Sequence, residues 1–295
     1  MVVDFKRTRC NITSMRVAAQ YKKCPRCQYS IAANSKKCTH CNSYLHDVPK
    51  SNQKSDGADP DGTILLSNVK SASVDRLETH LCGPIFGTSI LDDGRKFSGV
   101  IRTSANLIGG DRGAGKSTLA TQIVSEISFR EDRETLYVAC EEANAEVKLR
   151  GDRLEIPNLH QIRIVNALSG VSNVADVVAK RRPAAVVIDS LRGLVGDDSA
   201  ASGEACKLSK RLAVEFKCPF FLIQHVTKDE EIVGSNDDQH EVDCVMKFFV
   251  ESGDIRVLTV EKNRFGRAYI DQKFMMTQTG LKMLGGVVLP DDNQE

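Results

Sequence analysis

The decapeptide GGDRGAGKST at 109–118 constrains this chain more than any other stretch. Gly110, Gly115, Lys116 and Ser117 fill the G-x4-G-K-[ST] template of a phosphate-binding loop. The apolar pair Leu107-Ile108 before it reads as a strand end, and Leu119, Ile123 and Ile127 after it repeat every four residues, one face of a helix. Strand, glycine loop and helix N-terminus are the setting the motif needs. Backbone N–H groups from Gly110, Asp111, Arg112, Gly113, Ala114, Gly115, Lys116, Ser117 and Thr118 are expected to cradle the phosphates, helped by the positive end of the helix dipole. Lys116 would reach the β- and γ-phosphates of ATP, and the Ser117 hydroxyl would ligate Mg²⁺.

Short apolar runs follow the loop at Leu136–Ala139, Ile162–Val165, Ala185–Ile188 and Phe220–Ile223, with helical patterns near 142–151, 172–181 and 203–217 between them. Strands apolar on both faces that alternate with helices predict an α/β fold, a mostly parallel sheet covered on both sides. Val242–Val250, Ile255–Val260 and Ala268–Met276 are joined by tight turns and predict antiparallel strands added to that sheet.

The N-terminal part differs in character. Residues 1–50 carry ten lysines and arginines against Asp4 and Asp47, although the net charge of the whole chain is +1. Such a basic module suits an anionic partner or is an ordinary solvated tail. KKCPRCQ at 22–28 and KKCTHCN at 36–42 place Cys24, Cys27, Cys38 and Cys41 in a C-x2-C-x10-C-x2-C array. Two such knuckles complete a closed tetrahedral site, so a structural Zn²⁺ ribbon is expected, with the metal supplying much of its folding free energy. Residues 48–62 are polar and bear glycine and proline, the composition of a flexible linker. The expected organisation is therefore a basic arm and zinc ribbon at 1–47, a linker at 48–62 and an ATPase domain at 63–295. The chain has neither a signal-peptide pattern nor an apolar run long enough to span a membrane. With ten cysteines, that suggests a reducing, cytoplasmic setting.

Three further positions meet the expected carboxyl edge of the sheet, where ligands of such sheets gather. Asp189 ends the run AAVVIDS and suits the Mg²⁺ side of the site. Glu141, after the strand LYVA, is placed either to polarise an attacking water or, with Glu142, to start a helix. Gln224-His225 ends the strand FFLI and is a candidate γ-phosphate sensor.

Taken in order, the ribbon, the P-loop, LYVACEE with EVKLRGDRL, QHVTK at 224–228 and EKNRFG at 261–266 resemble the bacterial RadA (Sms) recombination ATPases, relatives of RecA and of the hexameric DnaB-type helicases. The resemblance runs from about residue 20 to residue 284, and KNRFG is its most specific element. It implies a RecA-like P-loop core and a DNA-dependent ATPase of recombination or repair. Such a protein is a branch-migration or translocase motor on single-stranded or branched DNA, assembled as a homo-oligomeric ring, hexameric in relatives, or as a filament. By that resemblance Glu141 aligns the water, Asp189 is the metal-side acid, His225 senses the γ-phosphate, and Lys262 and Arg264 reach a neighbouring subunit's nucleotide. Two cations separated by one residue on a strand also point the same way, which suits such a role; a surface salt-bridge pair is the alternative. Loops at 195–203 and 229–240 take the place of DNA-lining loops but are rich in Asp, which leaves Lys207, Lys210 and Arg211 to supply positive charge. Family members normally continue into a Lon-protease-like domain, whereas this sequence stops at Glu295. Two rivals share the engine: a DnaB-like helicase-type ATPase of a mobile element, and a KaiC-like signalling ATPase that does not act on DNA.

Overall fold

A computed structural model describes residues 21–24, 30–32, 35, 75–90, 96–166, 171–225 and 236–288. The chain forms two compact units, Met1–Asn52 and Gln53–Glu295. In the first, β1 (Tyr21–Lys23) pairs antiparallel with β2 (Ser30–Ala32), with Lys23 opposite Ser30. Cys24, the first residue after β1, is buried. Cys27, Cys38, Cys41 and the 48–62 linker lie outside the described residues.

The second unit is α/β, as its alternating pattern predicts. β3 (Arg76–Glu78), β4 (Thr88–Ile90) and β5 (Lys96–Ile101) form a small sheet ordered β3-β5-β4, with α1 (Gly83–Phe86) between β3 and β4. β6 (Ala105–Gly109) leads through the glycine loop into α2 (Lys116–Glu131). There follow β7 (Thr135–Ala139), α3 (Asn144–Arg153), β8 (Ile162–Asn166), α4 (Val171–Arg181), β9 (Val186–Asp189), α5 (Leu191–Val195), α6 (Ser199–Phe216), β10 (Phe220–Ile223) and α7 (Asn236–Glu241). The chain closes with β11 (Cys244–Ser252), β12 (Ile255–Asn263), β13 (Ile270–Thr277) and β14 (Gly280–Val288).

The main sheet has nine strands in the order β14-β13-β12-β11-β6-β10-β9-β7-β8. β11 through β8 are parallel, and β12 to β14 extend the sheet by antiparallel hairpins. Two apolar clusters explain why the strands read as near-continuous hydrophobic runs. On one face Ile108, Tyr137, Val187 and Phe221 pack on Leu119, Ile123 and Ile127 of α2. On the other Leu107, Val138, Ile188 and Leu222 pack on Val174 and Val178 of α4 and on Cys206, Leu212 and Ala213 of α6.

Two expectations change. The segment 195–203 is not an open loop, because α6 begins at Ser199. Asp198 caps that helix, accepting from the backbone N–H groups of Ala200 and Ala201, and Asp197 pairs with Arg192. Two of its acidic residues are therefore accounted for by local structure. Of the segment 229–240, residues 236–240 belong to α7 and the rest lies outside the described residues.

Candidate nucleotide-binding site

Register fixes the site. Ile223 of β10 lies level with Ile108 of β6 and with Asp189 of β9, and Asp189 is level with Ala139 of β7. The P-loop, Asp189, Cys140-Glu141 and Gln224-His225 therefore leave the sheet at one edge. They surround a cleft of about 500 Å³ lined by Gly113, Gly115, Lys116, Ser117, Asp189 and Glu141, among others.

The loop's shape requires its glycines. Gly110 has φ +136°, and a Cβ there would overlap the carbonyl oxygen of Phe248 on β11. Gly115 has φ +104°, and a Cβ would meet the Met276 methyl on β13. Strands β11 to β13 thus buttress the loop, and Arg256 of β12 donates from Nε to the Ala114 carbonyl at 3.1 Å. Ala114, Lys116 and Thr118 are buried, whereas Asp111, Arg112 and Gly113 are exposed.

Lys116 donates from Nζ to the carbonyls of Gly110 and Asp111, both at 2.7 Å. Burial pulls its pKa from 10.5 to about 8, against the opposing pull of Asp189 and Asp111. A phosphate at this position would give a buried cation a far better counter-charge than two carbonyls. Asp189 is almost buried, accepts a short hydrogen bond from the Tyr137 hydroxyl and lies 3.7 Å from Arg150. Arg150 also donates to that hydroxyl at 3.2 Å and pairs with Glu142. Asp189 and the Ser117 hydroxyl both line the cleft, and oxygen donors of this kind suit Mg²⁺, which keeps several waters.

Glu141 lies before α3, and the acid in the first turn of that helix is Glu146, which accepts from the Ala143 N–H at 2.9 Å. Glu141 instead faces the cleft, accepts from the Ser190 hydroxyl and lies 3.6 Å from His225 Nε2. Burial, with Lys116 nearby, lowers the His225 pKa below its usual 6.5, so the ring is neutral at physiological pH. His225 Nδ1 and Gln224 Oε1 are buried without a hydrogen-bond partner among the described residues, beside the cleft that His225 lines.

Lys262 and Arg264 lie elsewhere. Lys262 of β12 is opposite Val245, which is opposite Leu107, below the P-loop end of β6. β12 stops at Asn263, so strand alternation does not set the direction of Arg264, contrary to the expectation from spacing. Lys262 donates to the carbonyls of Gln239 and Val242 at 2.5 and 2.9 Å. Arg264 is about half exposed, and its guanidinium lies 3.6 Å from Asp243. Lys210 is not an open cation: it donates to Asp243 at 2.5 Å and to the Thr103 carbonyl at 3.0 Å. Lys207 lies 3.5 Å from Glu204, and Arg211 is exposed.

Sequence reasoning missed Tyr137, Arg150, Ser190 and Asp243. Arg150 stands four residues after Glu146 in a helix that starts at the sheet edge, the one local signal that pointed to it. Among the described residues no group of three His, Cys, Asp or Glu side chains is arranged to hold a metal, and no helix is long and apolar enough to cross a membrane.

Fold and site together define a P-loop nucleotide-binding domain of RecA-like architecture. Residues 97–231 match the family model described as an AAA domain. Over 200 residues the chain is 37% identical to the DNA repair protein RadA of Brucella abortus, covering 62% of this chain and 42% of that protein. It is 34% identical over 193 residues to RadA of Bacillus subtilis, with 62% and 41% covered. A longer match, 235 residues at 30% identity, joins it to RadA of Listeria monocytogenes and covers 76% and 48%. The chain thus spans less than half the length of these curated relatives. In shape it is similar to the KaiC-like protein PH0186 of Pyrococcus horikoshii, with a TM-score of 0.55 at 16% identity over 64% of this chain and 92% of that one.

Proposed function

We propose that this chain is a DNA-dependent ATPase that works as a homo-oligomer in recombination or repair. The observation that carries the reading is the convergence of Lys116, Ser117, Asp189, Glu141 and His225 on one cleft at the carboxyl edge. Similarity to proteins named for DNA repair supports the biological setting.

In this reading the β- and γ-phosphates take over the Lys116 ammonium from the carbonyls of Gly110 and Asp111. Ser117 and Asp189 would hold Mg²⁺, which would supply counter-charge to those oxygens. Arg150 and the Tyr137 hydroxyl keep the Asp189 carboxylate oriented. Glu141, steadied by Ser190, orients a water for in-line attack and takes up its proton as the new P–O bond forms and the bond to ADP breaks. Neutral His225, which lines the cleft beside Glu141, donates a ring N–H toward the γ-phosphate. Lys262 and Arg264 belong to the face that meets a neighbouring subunit. Supplied in trans, an arginine makes hydrolysis depend on assembly.

For the first unit we propose a structural Zn²⁺ on Cys24, Cys27, Cys38 and Cys41. Support comes from the spacing of the four cysteines and from Cys24, which is buried directly after a strand paired in the β1–β2 ladder. Metal analysis of the purified chain is expected to give one zinc per chain, lost on replacing Cys24 and Cys27 by serine.

Steady-state ATP hydrolysis with and without single-stranded DNA, over a range of protein concentration and salt, tests the main reading. A rate that climbs with DNA, falls with salt and rises steeply with protein concentration is expected. A rate indifferent to DNA would leave a nucleotide switch of the signalling kind.

A further inference from the structure

The turn between β12 and β13 carries Arg264 and, further along, Tyr269. It is bound firmly to the body of the unit. Asn263 donates to the Ile85 carbonyl at 3.0 Å, Arg76 donates to that of Phe265 at 2.8 Å, and the Tyr269 N–H donates to the Val260 carbonyl at 2.7 Å. Tyr269 sits at φ +57°, a left-handed conformation uncommon for a bulky side chain and kept only where the surroundings impose it. Its ring is nevertheless turned to solvent. The residue is 72% exposed, the highest value among the large hydrophobic side chains described.

The next is Leu149, at 69%. It belongs to α3, of which Glu146, Arg150 and Arg153 line the nucleotide cleft. Leu149 follows Glu146 by one short turn and precedes Arg153 by another, so it shares their side of the helix. It takes no part in the core, which α3 meets through Val147, Arg150 and Gly151. Leu149 is thus an apolar point on the outer rim of the cleft. A single exposed apolar residue is ordinary. These two are set apart by where they stand. One lies beside the half-exposed arginine read as entering a neighbour's cleft, and the other at the rim of the cleft that receives it.

We propose that Tyr269 of one subunit packs on Leu149 of the next, seating each arginine-bearing turn on the rim of its neighbour's nucleotide cleft. The occupant is a second copy of this chain, and the contact is head-to-tail. Two different surfaces of one chain meet, as the growth of a ring or filament requires. A rigid aromatic ring is a common interface anchor, and a turn already fixed loses little freedom on docking. The contact holds Arg264 at the nucleotide, so hydrolysis follows assembly. It rests on the reading of Arg264 as acting in trans, and mixed-variant assays separate the two claims.

Sedimentation velocity of the full chain, with Mg²⁺ and a non-hydrolysable ATP analogue over a range of concentrations, reads assembly directly. Tyr269→Lys and Leu149→Lys are each expected to raise the concentration at half-assembly at least about tenfold. Thermal unfolding should stay at the wild-type midpoint, because both positions are exposed in the single subunit. Tyr269→Lys combined with Leu149→Glu is expected to return to within about threefold of wild type, since the new charges attract across the interface. Single variants that assemble as wild type, or a pair no better than Tyr269→Lys alone, would overturn the contact. Tyr269→Ser and Leu149→Ser decide the case in which a charged variant does not fold; each is expected to raise the same concentration at least about threefold. Mixing Arg264→Ala chains with Lys116→Ala chains tests the trans reading separately. Partial rescue of turnover is expected, and no rescue at any ratio would remove that reading and this contact with it. Rescue together with unshifted assembly in the Tyr269 and Leu149 variants would remove the contact alone.

Discussion

The two ends of strand β6 handle polar groups in opposite ways. At its carboxyl end Lys116 rests on loop carbonyls, and His225 Nδ1 and Gln224 Oε1 lack partners among the described residues. At its amino end Asp243 is buried, binds Lys210 and the Ala105 N–H through Oδ2 and keeps Oδ1 without a hydrogen-bond partner among the described residues, while Lys262 donates to the Gln239 carbonyl of α7. Both ends keep buried polar atoms without partners among the described residues, but only the first opens onto a cleft that a ligand can fill. Charged residues of similar appearance in the sequence thus belong either to chemistry or to scaffold, and whether they line the cleft distinguishes them.

The sharpest break of this contrast comes from Lys116→Ala, which should lower ATP turnover at least about a thousandfold while the chain stays folded, because the residue's partners are two carbonyls that water can serve. Near-normal turnover with an intact circular dichroism spectrum would remove Lys116 from the site. Arg150→Met lies between the two regimes. Removing one partner of its buried network leaves Glu142 and Asp189 short of a counter-charge, so turnover should fall about tenfold and stability by about 3 kcal/mol. Urea unfolding and a magnesium titration of turnover measure both.

Stability should separate the two ends directly. Asp243→Ala strands Lys210 and the Ala105 amide and is expected to cost about 3 kcal/mol in urea unfolding, whereas His225→Ala should cost less than about 1 kcal/mol. Equal costs would erase the distinction. The smallest expected effect is on pH. Unliganded Lys116 loses its proton above about 8, and triphosphate binding must restore it. ATP affinity should therefore weaken as pH rises, by about threefold between pH 7.5 and 8.5. A flat profile over that interval would mean that Lys116 keeps its charge.

The parallel core was legible because its strands are buried on both faces. Phe220–Ile223 forms β10 with the expected bounds, and Leu119, Ile123 and Ile127 are fully buried on α2. Lys116, Ser117, Asp189, Glu141 and His225 were legible as a set because each follows or ends an apolar strand, and parallel strands in one sheet share a carboxyl edge. The strand β14 was not, since KMLGGVV breaks alternation with two glycines, nor was the small sheet β3-β5-β4, whose strands are short and mixed. Arg150 and Asp243 escaped for a different reason. Their partners Tyr137 and Lys210 are 13 and 33 residues away, and no local pattern reports such pairs. The same holds for Lys262, whose spacing from Arg264 suggests a common direction that the end of β12 does not support.

Glu141→Gln gives the most direct test of an ATP-hydrolysing edge. The amide oxygen can still accept from Ser190, so the fold and the cleft are preserved while the proton acceptor is lost. Equilibrium binding of ATP paired with single-turnover phosphate release is the measurement. ATP affinity within about threefold of wild type, with phosphate release slowed at least a hundredfold, is the predicted result. Phosphate release at the wild-type rate would contradict the assignment of Glu141 and of the edge that it defines.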